Sequence, residues 1–174
     1  GGPAWPDGPT IAGKGGILVD AANGFLSCSF AADPLEYAVT AALFTTRGDA
    51  AFLLTAYAVD GPEGSSSSLQ AHRWQSGRIS EVSNLMPRIT LADFVDETWL
   101  ASHPNDRKAV LSAGRLAWDL PRYGTTIVIR PVILAQADDA NVGEDRADVA
   151  KALGIMRAHR KYAALRLAWN ATDG

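Results

Sequence analysis

Apolar and polar residues alternate with a period of two over several short stretches of this chain, and a helical period emerges only near its end. Ile17-Leu18-Val19 and 25–30 flank Asn23-Gly24, a pair that tolerates positive φ, so the pattern predicts a hairpin. Two templates compete over 33–49. Asp33, Pro34, Glu36 and Gly48 spell a capped helix, whereas Tyr37, Val39, Leu43 and Thr45 fall on one face of a strand, and the β-branched content favours the strand. Arg47-Gly48-Asp49 then becomes the turn into 51–59, which is apolar on both faces as in a central strand. Gly61-Pro62-Glu63-Gly64 with the serines 65–68 predicts a solvated loop, followed by a polar hairpin of 69–74 and 78–82 around Gln75-Ser76-Gly77.

Further on, 88–91 reads as a short strand, or Thr90 with Asp93 opens a helix through Trp99. Leu116, Trp118 and Leu120 alternate with Arg115, Ala117 and Asp119, and 125–130 with 132–134 is the most β-prone run. Pro131 in that run has no N–H to donate and is expected at an edge or a bulge. Trp118 and Ile129, on the apolar sides of these two strands, are the expected core anchors. Last, acids from Asp138 to Asp148 precede bases from Lys151 to Arg166, an order that suits a helix dipole. The pattern predicts a helix over 146–169 with Val149, Leu153, Met156, Tyr162 and Trp169 along one stripe.

These elements sum to an all-β fold, a jelly-roll-like antiparallel β-sandwich with a C-terminal helix; the alternative is α+β, with 33–46 and 106–118 as helices on a smaller sheet. The organisation read from it is an irregular N-terminal arm over 1–16, a β-sandwich domain over 17–137, and an acidic loop with the C-terminal helix over 138–174.

Composition adds exclusions. The chain has 174 residues, 47% hydrophobic and 20% charged, enough apolar content for one core. Sixteen Lys and Arg against 19 Asp and Glu leave a net charge of −3, so any polyanion contact must be local. One cysteine, Cys28, excludes an internal disulfide and a Cys-rich metal site, and its apolar neighbours mark it as a core residue. His72, His103 and His159 share no ligand spacing, and no serine sits in a nucleophile elbow. Lys14 lacks the spacing of a phosphate loop, 138–144 is out of register for a calcium loop, Arg47-Gly48-Asp49 is explained by its turn, and Asn170-Ala171-Thr172 is an incidental sequon. No cofactor, metal or membrane contact is expected. Lys151, Arg157, Arg160, Lys161 and Arg166 exceed what a dipole needs and are the candidate contact to a polyanion such as RNA or to an acidic neighbouring subunit.

From Gly24 to Asp139 the order of elements resembles that of the small jelly-roll coat proteins of picorna-like viruses, particularly plant viruses whose subunits are cut from a polyprotein. The resemblance rests on 51–62, on 113–121 and on the strand from Thr125 that runs into acidic residues, and it covers about two thirds of the chain. It implies a structural subunit that self-assembles into a shell with copies of itself or sister subunits, resident in a virion and without catalytic residues. An N-terminus without Met fits precursor cleavage. The α+β alternative implies a binding or accessory protein of bacterial or phage origin. A third reading is a small hydrolase or isomerase built on scattered carboxylates and a histidine.

Overall fold

Period-two segments joined by tight turns zip into hairpins, and the computed structural model, which describes residues 10–12, 15–61, 64–112, 114–133 and 145–171, has seven strands in one antiparallel meander. They are β1 (Thr10–Ala12), β2 (Gly15–Asp20), β3 (Phe25–Ala32), β4 (Leu35–Thr45), β5 (Ala50–Gly61), β6 (Gly64–Gln75) and β7 (Arg78–Glu81), each paired with its sequence neighbours. The turns follow the local chemistry. Gly24 takes φ +61 between β2 and β3, where a Cβ would lie 2.8 Å from Leu43 Cβ. Between β4 and β5, the Thr46 hydroxyl donates to Ala50 O at 3.0 Å and accepts from Gly48 N at 3.3 Å.

Between β6 and β7, Ser76 (φ 50) and Gly77 (φ 76) both sit in the left-handed region, as a type I′ turn requires. Serine is strained there and asparagine much less so. Ser76→Asn is therefore expected to raise stability by up to about 1 kcal/mol, read as a higher urea midpoint.

Residues 35–45 are a strand, and Asp33-Pro34 forms the turn before it instead of opening a helix. Two expectations are corrected here. Serines 65–68 are not a loop but pair with Asp60 to Tyr57 inside β6. The twelve-residue partner strand supplies cross-strand neighbours that composition alone hides. The expected irregular arm over 1–16 also contains ordered strand, since Thr10–Ala12 pairs with Gly15–Ile17; 1–9 and 13–14 lie outside the described residues, as does the acidic loop.

After β7 come a 3-10 turn (Leu91–Phe94), α1 (Glu97–Ser102), α2 (Pro104–Ser112), β8 (Gly114–Asp119), β9 (Thr126–Ile133), α3 (Asp145–Ala158) and β10 (Leu165–Ala168). Thr90 N and its hydroxyl donate to Asp93 Oδ2 at 2.7 and 2.9 Å, and Asp96 Oδ1 caps α1 by accepting from Trp99 N at 2.9 Å. The helix allowed from Thr90 is thus split in two. Pro104 stands at the first position of α2, which needs no N–H.

Strands β10, β9 and β8 make a second, three-stranded antiparallel sheet. A jelly roll interleaves its strands between two sheets, whereas here the large sheet is a sequential meander and the small one uses the last three strands. The fold is β-rich, mostly antiparallel, with three helices among the described residues.

The helix expected over 146–169 stops at Ala158. No glycine or proline stops it; tertiary pairing does, because Asp96 N donates to His159 O at 2.9 Å, Lys161 N donates to Phe94 O at 2.9 Å, and Val95 bridges Arg160. Beyond that, Leu165 and Leu167 alternate along β10, and Trp169 follows its end. The helix buries Ala152, Ile155 and Met156, and Tyr162 and Trp169 lie outside it. Pro131 is at an edge as expected: β10 ends opposite Ile129, leaving Pro131 with a neighbour only on β8.

The core lies between the inner face of the large sheet and everything after it. Phe44, Phe52, Leu54 and Ala71 meet Leu91, Phe94, Val110, Leu116, Ile127, Ile129 and Met156. Ile129 is completely buried, as expected of an anchor. Trp118 is only half-buried and packs on the margin of this core.

Candidate functional site

Because side chains alternate across a pleat, burial of Ala42, Phe44, Phe52, Leu54 and Ala71 on one face sends their sequence neighbours to the other. That outer face should be wet and polar, yet it carries Ile17, Val19, Leu26, Phe30, Tyr37, Val39, Leu43, Leu53, Tyr57, Trp74 and Ile79. Glu81, at the edge, is the one charged residue among the outward positions of β2 to β7. Leu43, Phe30 and Trp74 are 46%, 45% and 48% exposed, and Ile79 reaches 73%. Phe30 and Tyr37 stack on each other at 4.8 Å, and Leu43 stands directly opposite Leu53. Half-buried Cys28 shares this face.

The inner face is polar toward its other end, with Ser27, Ser29, Glu36, Thr40 and Asp60. There Asp60 accepts from Arg115 Nε and Nη2 at 2.9 and 2.7 Å, tying β5 to β8. Beside this pair opens a cleft of about 840 Å³, lined by the apolar Leu69, Met86, Leu91, Leu116 and Trp118 and by the polar Ser66–Ser68, Ser83, Asn84, Arg88, Thr90 and Arg115.

The five candidate bases are not gathered on one helix. Lys151 on α3 pairs with Asp106 of α2. Arg157 is exposed in the last turn of α3. Arg160, past the helix, donates to Tyr162 O and Ala163 O at 3.0 and 2.9 Å, and Lys161 lies over the Tyr162 ring at 5.2 Å. Arg166 is exposed on β10. The assignment placed all five on one helix, and two of the five, Lys151 and Arg160, serve as internal braces.

The histidines do not converge either. His103 and His159 stack on opposite faces of Trp99, with ring centroids 4.3 and 4.1 Å away, and His72 lies on β6 opposite Leu53. Ser102 Oγ is 3.0 Å from His103 Nδ1, but both also reach the Trp99 carbonyl oxygen, at 2.8 and 2.9 Å, so the group closes the end of α1. Among the described residues no three His, Cys, Asp or Glu side chains are grouped to hold a metal. No described helix is long and apolar enough to cross a membrane.

One exposed ion pair carries a pH signature. Hydrogen bonds from Arg122 (2.7 Å) and from Asn23 hold the Asp20 carboxyl below the ordinary carboxylate range. A depressed carboxyl stabilises above its unfolded value and stops doing so as pH falls through its folded one. The Asp20 side-chain carbon resonance is therefore expected to titrate below a normal aspartate, and Arg122→Ala should raise its titration toward normal, the Asn23 hydrogen bonds remaining.

Missed by the pattern were the apolar outer face and the cleft. The signal for the face was present, since β5 read as apolar on both sides, but that also describes a strand buried on both sides. No family model matches this chain, and no curated protein matches it in sequence. Its fold is similar to a solved structure of a domain of an uncharacterized protein from Porphyromonas gingivalis W83, with a TM-score of 0.53 and 8% identity over 84% of this chain and 72% of that one.

Proposed function

We propose that this protein is a structural subunit that works by self-association, with the outer face of the large sheet as the contact. The observation that carries the reading is the apolar, nearly charge-free outer face. From Ile17 on β2 to Ile79 on β7 it spans five strand spacings, roughly 25 Å, and along the strands about as far, giving roughly 600 Å² in plan. Such a patch is at the upper limit for a monomer and approaches the roughly 800 Å² per partner of a standard interface. A second copy is the occupant that matches it, because two identical apolar faces of the same twist can pack on each other about a two-fold axis. Sheets packed this way cross at about 30° and form a dry layer.

A two-fold contact uses the face up. A shell of the coat-protein kind needs one further contact, and a closed dimer needs none. Sedimentation velocity of the unaltered protein separates the two, and Leu43→Glu with Leu53→Glu tests the face itself. Two buried carboxylates without partners are expected to weaken association by at least about a hundredfold, with the circular dichroism spectrum unchanged. A wild-type chain that remains monomeric at high concentration, or a double variant that associates as before, overturns the proposal.

A further inference from the structure

Strand β6 is longer than its outer neighbour. Strand β7 pairs with it only from His72 to Gln75, and Val82 N extends the ladder by one bond to Ala71 O. From Gly64 to Gln70, β6 therefore has β5 on one side, and no strand among the described residues pairs with it on the other; β8 packs against β6 without joining its ladder.

The hydrogen-bond parity says which groups are left over. In an antiparallel pair, every second residue bonds a given neighbour. Ala71 bonds toward the β7 side, so Leu69 and Ser67 point their N–H and C=O the same way, while Ser66, Ser68 and Gln70 bond β5. Closure of the β5–β6 hairpin at the Gly61–Gly64 pair gives the same parity.

This open edge is not bare surface. Four consecutive residues, Ser66 to Leu69, line the 840 Å³ cleft, as a cleft running along a strand edge requires. Its lining mixes apolar with polar side chains, its volume falls in the roughly 300–1,000 Å³ range of binding clefts, and no acidic residue lines it. Of its two cations Arg115 is held by Asp60, whereas Arg88 is exposed and has no acidic partner among the described residues.

We infer that the β6 edge at Ser67 and Leu69 receives an extended peptide segment of a partner protein, adding a strand to the sheet. Main-chain bonds to Ser67 and Leu69 give affinity, alternate apolar side chains enter the cleft beside Leu69 and Trp118, and an acidic side chain meets Arg88. This contact is separate from the outer face and does not depend on self-association.

The probe is a synthetic, end-blocked octapeptide alternating valine and threonine with one aspartate, followed by amide resonances and hydrogen exchange. The expected result is saturable binding with protection confined to the Ser67 and Leu69 amides on β6. Ser67→Pro removes an N–H that faces the open edge, so the fold should persist while binding falls roughly tenfold or more. Ser68→Pro, which removes a ladder bond to β5, should destabilise the sheet instead. Arg88→Glu should reject the aspartate peptide and accept one with lysine in its place. No saturation at about 1 mM peptide, protection elsewhere, or unaltered binding by both the Ser67→Pro and Arg88→Glu variants overturns the inference.

Discussion

Replacing Phe94 with alanine is expected to lower stability by about 3 to 5 kcal/mol, a large part of the roughly 5 to 15 kcal/mol that holds a domain together. Among the described residues Phe94 is the largest side chain with no solvent exposure, set in the core where the 3-10 turn packs on α1, α2 and β8. Its backbone is fixed as well, since its carbonyl accepts from Lys161 N and the next residue bridges Arg160. With the main chain held on both sides, little collapse can refill the space, which places the cost at the high end of core truncations. The measurement is a urea midpoint that falls at constant slope. A loss below about 1 kcal/mol would mean that the ring is not in this core.

Truncating Trp169 to alanine should cost about 2 to 4 kcal/mol, less than the roughly 3 to 5 of a fully buried aromatic because the residue is only partly buried. The indole lies 5.1 Å from both Phe44 and Phe52 and donates through Nε1 to Thr45 O at 3.3 Å. It is thus the clasp by which the chain after β10 holds the large sheet. A fall in melting temperature of roughly 5 to 15 °C is the expected reading, and Trp169→Phe, which keeps ring contact but loses the donor, should recover most of it. If alanine melts with the wild type, the last strand is not docked on β4 and β5.

Legibility in the sequence followed the range of the interaction. Gly24, Arg47-Gly48-Asp49 and Ser76-Gly77 act within four residues, so their turns could be read directly. The alternation of Leu116 and Ile127–Ile129 named two strands of the small sheet for the same reason. What failed was decided at a distance. Residues 159–161 carry no helix breaker, and only their ladder to 94–96 ends α3 there, so Lys151, Arg157, Arg160, Lys161 and Arg166 do not share one helix. The serines 65–68 look like a loop until β5 is laid beside them. The apolar outer face was visible as residues and invisible as a surface, because period two says that both sides of a strand are apolar but not that one of them lacks a cover.

The meander has a kinetic side. Each of the first seven strands pairs with the one made just before it, so loop closure is short at every step and the sheet can zip up hairpin by hairpin as the chain emerges during synthesis. Its inner aromatic pair, Phe44 and Phe52, must wait for Trp169, whose bond to Thr45 spans 124 positions. Until the C-terminal strand arrives, a growing chain would hold a sheet with apolar residues open on both faces. The late, long-range clasp then sets the time for which the nascent chain is prone to aggregate, and premature termination ahead of β10 would leave it in that state.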